Sequence, residues 1–140
     1  MNRDESAIRE SFNTDGEALS YEMSATAARA ASEMFAKAVT VVDLRGLVSY
    51  TDYFVIASAE TERQTRRVAE EVIEKMIHSG YRPRSKRIQE GTAWISLDFT
   101  DVVVHIFTDE ARDYYRLESL WRSAPQELWE DKVDQRTARE

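Results

Sequence analysis

The stretch YFVIASAETERQTRRVAEEVIEKMIHSG, Tyr53 to Gly80, decides the fold, because it changes from strand chemistry to helix chemistry within a few residues. Tyr53 to Ser58 is a short run rich in aromatic and β-branched residues, the composition of a strand. Thr61 followed three residues later by Gln64 is a capping-box signature, in which each side chain satisfies a backbone N–H that the first helical turn leaves orphaned. Val68, Val72 and Met76, with Ala69, Ile73 and Ile77, then recur at helical spacing as one apolar stripe that Gly80 stops. A strand feeding directly into such a helix implies a helix lying on a sheet.

The same pattern extends outward. Upstream, Val39 to Leu44 reads as a strand broken by Gly46, and the alanine-rich Ser24 to Lys37 as a first helix capped by Ser24. Downstream, Arg82 to Ile88 is basic and interrupted by Pro83, which fits an exposed edge strand or a loop. Trp94, Ser96 and Asp98 alternate with Ile95 and Leu97, and Phe99 and Thr100 then connect tightly to Asp101, as in a hairpin. Val102 to Phe107 is apolar on both faces apart from His105, as a strand covered on both sides must be. Thr108 caps a last helix, with Asp109 and Glu110 where the helix dipole favours anions. The order predicts an α+β chain with a mixed sheet of about five strands flanked by helices.

A chain of 140 residues has room for one domain. We expect a disordered extension over residues 1–22, the domain over 23–125 and a charged tail over 126–140. Hydrophobic content of 42% supports a core, while 32% charged residues and a net charge of -7 describe an acidic surface. Such a surface disfavours free nucleic acid and suits a basic protein partner, whose potential it complements. No cysteine is present, which excludes disulfides, thiolate metal sites and a cysteine nucleophile. No apolar run approaches a membrane span and no signal-peptide core opens the chain, so a cytoplasmic location is expected.

Candidate chemistry is sparse. Asp98 and Asp101 sit at the ends of adjacent strands, where a carboxylate pair can hold magnesium for nucleotidyl transfer. No glycine-rich phosphate cradle accompanies them, so turn capping is the favoured reading. His105 and His78 read as structural, the latter at a helix C-terminus where a cation suits the dipole, and Ser58 lacks any nucleophile motif. Arg63, Arg66 and Arg67, with Arg82, Arg84, Lys86 and Arg87, form the dense basic features, but no aromatic residues interleave with them, and solvated surfaces explain them. Trp94 falls on the more polar face of its strand and Phe99 at the turn. Either they are exposed anchors of a protein interface, or a helix covers that face and Trp94 is core.

Six segments, in this order and spacing, resemble the RsfS/iojap family: VVDLRGL from Val41, TDYFVIAS from Thr51, RQTRRVAEEV from Arg63, W-x-x-x-D from Trp94, DVVVHIF from Asp101 and RDYYRLESLW from Arg112. The resemblance covers about Val42 to Pro125. It implies a sheet related to the nucleotidyltransferase fold without its active site, a non-enzyme needing no cofactor or metal, and frequent homodimers. It further implies binding to the large ribosomal subunit through its universal protein numbered fourteen, which blocks joining of the small subunit and represses translation when nutrients are scarce. Trp94 and Phe99 correspond to the family's contact residues, with Asp98, Asp101 and Tyr115 as neighbours. The chain departs from the family at Ser58 to Thr61 and at Arg87–Ile88, with a Glu90–Gly91 pair three positions later. A large-subunit assembly factor and a divergent nucleotidyltransferase using Asp98 and Asp101 are the alternatives.

Overall fold

The computed structural model of the protein describes residues 19–89 and 93–129. Helix α1 occupies residues 19–33. It is followed by β1 (Lys37–Asp43), β2 (Tyr53–Ala59), α2 (Glu62–His78), β3 (Ser85–Gln89), β4 (Trp94–Asp98), β5 (Val102–Thr108), α3 (Asp109–Tyr115), α4 (Leu117–Leu120) and β6 (Gln126–Leu128). Six strands form one mixed sheet in the order β3-β4-β5-β2-β1-β6. Only β2 and β5 run parallel; the other neighbours are antiparallel. The α+β reading holds, with one strand more than the five expected.

Face one of the sheet carries the larger core. Val39, Val41, Tyr53, Val55, Ala57, Ile95, Leu97, Val102, Val104 and Ile106 meet α1 and α2 there. Ala27, Ala28, Ala30 and Ala31 are buried, and their small side chains let α1 approach closely. From α2 come Val68, Ala69, Val72 and Met76. Val68, Val72 and Met76 each contribute about 1.5–3 kcal/mol by leaving water. The expected stripe is nearly right, but Ile77 at its edge is 40% exposed. The capping box forms as read: Thr61 Oγ1 accepts from Gln64 N at 3.2 Å, and Gln64 Oε1 accepts from Thr61 N at 3.2 Å.

Face two is smaller. Val42, Leu44, Phe54, Ile56 and Phe107 meet Ala111 of α3, with Leu117 of α4 and Trp121 beside them. Arg112 fastens this layer to the sheet. Its guanidinium donates to Glu118 Oε1 at 3.1 Å, to the Lys37 carbonyl at 3.2 Å, and to Ser58 Oγ and Thr40 Oγ1 at 3.3 Å each. Ser58, considered above as a nucleophile, is thus a strand residue bonded to Arg112 and to the Lys37 carbonyl.

Three expectations about the ends are corrected. The first helix includes residue 19, and Ser24 lies within it, donating to the Tyr21 carbonyl at 2.7 Å instead of capping. The helix also stops at residue 33, and Lys37 already belongs to β1. Pro125 does not end the domain, because Gln126–Leu128 pairs with β1 and Trp129 is buried in the face-one core. The rest of the expected extension and tail, and the Glu90–Gly91 pair, lie outside the described residues.

Candidate functional site

Strand register builds the site. Antiparallel pairing of β4 with β5 sets Trp94 opposite Phe107, Ser96 opposite His105 and Asp98 opposite Val103. Directly opposed residues share a face, so Trp94, Ser96 and Asp98 lie on face two, all half-buried, while Ile95 and Leu97 point into the face-one core. Helix α3 begins where β5 ends, because Thr108 Oγ1 accepts from Ala111 N at 3.1 Å. Its last residue, Tyr115, comes back over the indole of Trp94, with ring centroids 4.8 Å apart, and Phe107 lies 4.9 Å from the same indole. Tyr114 meets Tyr115 edge to face and is 75% exposed.

Trp94 therefore answers to both readings. A helix does cover part of its face, through Tyr115, and Trp94 is half-buried instead of fully core. Its Nε1–H donates to His105 Nδ1 at 3.1 Å, and Ser96 Oγ lies 3.2 Å from the same nitrogen. Burial pushes the His105 pKa down to about 4, so the ring is neutral at pH 7. Since Nδ1 accepts, the proton sits on Nε2, which is buried with no hydrogen-bond partner.

The other expected contact residues separate. Asp98 lies four residues from Trp94 along β4, about 13 Å at ordinary strand rise. Its Oδ1 accepts from Thr100 N at 2.7 Å, the turn-capping role. Asp101 is exposed on the same turn, and its pKa is raised by partial burial and by the charge of Asp52. Phe99 corrects the expectation of an exposed anchor: it is 3% exposed and belongs to the face-one core with Ile95 and Leu97. The turn makes this possible because Thr100, at φ 76°, takes the left-handed position and leaves Phe99 in strand alternation. Among the described residues no group of three or more His, Asp or Glu side chains is placed to hold a metal ion.

Beside Trp94 opens a cleft of about 460 Å³ that the sequence did not indicate, lined by Glu60, Glu62, Thr108, Glu110, Tyr114 and Tyr115. Three exposed carboxylates and two tyrosines meet there from the start of α2 and from α3. Sequence spacing could not find them, because the segments are about fifty residues apart and only the parallel β2–β5 pairing joins them. An aromatic platform with an acidic rim suits a basic, apolar protein surface.

The family description "Ribosomal silencing factor during starvation" matches residues 17–140. This chain belongs to that family. A relative named ribosomal silencing factor in Bacillus subtilis is 31% identical over 99 residues, 71% of this chain and 84% of the relative. A crystal structure of a Chromobacterium violaceum protein superposes with a TM-score of 0.70 at 30% identity, covering 72% of this chain and 84% of that one. A Mus musculus protein named for mitochondrial assembly of the ribosomal large subunit is 30% identical over 89 residues, 61% of this chain and 39% of its own length. The silencing-factor match begins before Met23 and runs past Pro125, further than the quoted segments reach. Within the family's segments, RDYYRLESLW supplies the Arg112 anchor, the two tyrosines and Trp121 of the face-two layer. Among the described residues no helix is long and apolar enough to cross a membrane.

Proposed function

We propose that this chain is a cytoplasmic, non-catalytic translation repressor that binds the large ribosomal subunit through its universal protein numbered fourteen and sterically blocks the small subunit. The contact surface consists of Trp94 and Tyr115, the adjoining acidic cleft, and Asp98 and Asp101 at the hairpin. Phe99 contributes by holding that hairpin, since its own side chain is core. The observation that carries this reading is the half-buried indole of Trp94, bonded to His105 and stacked with Tyr115, which also lines the acidic cleft, on a chain of net charge -7. Partly exposed, pre-ordered aromatics are the anchors of protein interfaces, and the acidic rim matches the basic surface of a protein that itself binds RNA. The reading includes a homodimer, tested by light scattering.

The experiment is co-sedimentation of the full chain with isolated large subunits, with and without small subunits. Wild type should travel with the large subunit and reduce the yield of joined ribosomes. Trp94→Ala should weaken binding by about 2 kcal/mol or more, with circular dichroism showing that the variant folds. Failure of the wild type to co-sediment at micromolar concentration would sink the reading.

A second reading, a large-subunit assembly factor acting on the same partner, is favoured by the name of the mouse relative. Immature large subunits accumulating on gene deletion, together with normal joining of purified subunits in the presence of the protein, would decide for it.

A further inference from the structure

Helices α1 and α2 end in the same hydrogen-bond motif with different residues in its critical position. After α2, Gly80 N donates to the Ile77 carbonyl at 2.9 Å and Tyr81 N to the Met76 carbonyl at 2.8 Å, with Gly80 at φ 94°. After α1, Phe35 N donates to the Ser32 carbonyl at 2.9 Å and Ala36 N to the Ala31 carbonyl at 3.0 Å, with Phe35 at φ 64°. This left-handed position favours glycine, because a Cβ crowds the neighbouring carbonyl. Packing does not compensate at Phe35, whose side chain is 87% exposed. A large aromatic held in strain and in water points to a use outside the fold.

Its surroundings indicate the use. Phe35 and Met34 line a cleft of about 320 Å³ with Gln64 and Arg67 of α2. Arg63 and Arg66 occupy the same exposed side of the first two turns of α2, and among the described residues none of these three arginines is paired. Arg63 stands in the first turn, at the positive end of the helix dipole, where a cation is unfavourable. Glu70 and Glu71 follow one turn after Arg66 and Arg67, but among the described residues neither closes an ion pair with them, and Glu71 lies 3.9 Å from Lys75 instead. The sequence shows no aromatic residue among these arginines; the fold places Phe35 in one cleft with Arg67.

We propose that Phe35, Arg63, Arg66 and Arg67 form a second contact surface, for an unpaired segment of RNA on the large subunit. A base stacks on the Phe35 ring while the arginines meet the flanking phosphates. The inference rests on the large-subunit reading above. An exposed aromatic plane suits a base better than an acidic peptide, which would need only the charges. Three arginines on a chain of net charge -7 do not hold free RNA, so the contact forms once docking at Trp94 raises the effective concentration.

The test replaces Phe35 with photoreactive benzoylphenylalanine in the full chain, irradiates it on isolated large subunits and asks what is cross-linked. Cross-linking to RNA is the expected result. Cross-linking to a ribosomal protein, or none while the protein co-sediments, overturns the proposal and leaves the large-subunit reading standing. Loss of co-sedimentation by the unmodified chain removes both. In parallel, Phe35→Gly should raise the melting temperature yet weaken large-subunit binding by about tenfold. Arg63→Glu with Arg67→Glu should reduce the slope of log affinity against log salt by about 1.4. Unchanged affinity and salt slope in these stably folded variants would likewise overturn it.

Discussion

Trp94 donates its indole N–H to Nδ1 of His105 at 3.1 Å, joining the first residue of β4 to the middle of β5 across the face-two surface. Because an indole nitrogen only donates, the bond exists only while Nδ1 is unprotonated. Burial maintains that state by lowering the His105 pKa from 6.5 to about 4. Between those values the unfolded chain carries the proton and the folded chain does not, so stability falls as pH falls through this window. The full shift corresponds to about 3 kcal/mol at about 1.4 kcal/mol per unit. Asp101, raised by partial burial and by Asp52, acts in the opposite sense nearer its ordinary range. Urea midpoints measured from pH 7 to pH 4.5 should decline in wild type, and the decline should flatten in His105→Phe.

Two substitutions at Trp94 separate packing from hydrogen bonding. Trp94→Phe retains a ring between Phe107 and Tyr115 but removes the donor to His105, and should lower folding stability by about 1 kcal/mol. Trp94→Ala also loses the ring contacts and should cost about 2 kcal/mol, below the range for a fully buried tryptophan because this one is only half-buried. Denaturation curves at pH 7 provide both values. Equal stability in the two variants would mean that the rings around Trp94 contribute nothing.

The central strands and α2 were legible because their signals are local: a capping box, an apolar stripe at helical spacing and two uninterrupted β-rich runs. Phe99 was misread although the alternation of Ile95 and Leu97, carried one step further, assigns it to the same buried face; the turn at Thr100 drew attention away from that period. β6 went unseen because three residues are too few to show alternation, and its strand character comes from pairing with β1. The first helix begins earlier than its apparent cap because Ser20 is fully buried, a tertiary fact. Of the site, Trp94 and Tyr115 were visible as residues but their meeting was not. The acidic cleft was invisible because its carboxylates converge only through the sheet.

Arg112 tests whether the face-two layer shapes the site. Its side chain is 11% exposed and bonds four acceptors on α4, β1 and β2. Arg112→Ala leaves the Glu118 carboxylate half-buried without its partner and should cost about 3 kcal/mol. Arg112→Lys restores a charge but not the fork that reaches Ser58 and Thr40, so it should fall between alanine and wild type. Loosening α3 also frees Tyr115 from Trp94. Both variants should therefore alter tryptophan emission below their unfolding transitions, and a spectrum identical to wild type would refute the link.

Gly80 provides the stability control for the left-handed helix ends. Its φ is 94°, and a Cβ built there meets nothing within 4 Å, so any penalty for a side chain comes from the backbone conformation alone. Gly80→Ala should lower stability by about 1 kcal/mol, while Gly80→Asn should cost less because asparagine tolerates this region better. Urea unfolding monitored by circular dichroism gives both numbers. If Gly80→Ala is neutral, the hydrogen-bond motif at the end of α2 tolerates a Cβ freely, and the strain assigned to the equivalent position of α1 disappears with it.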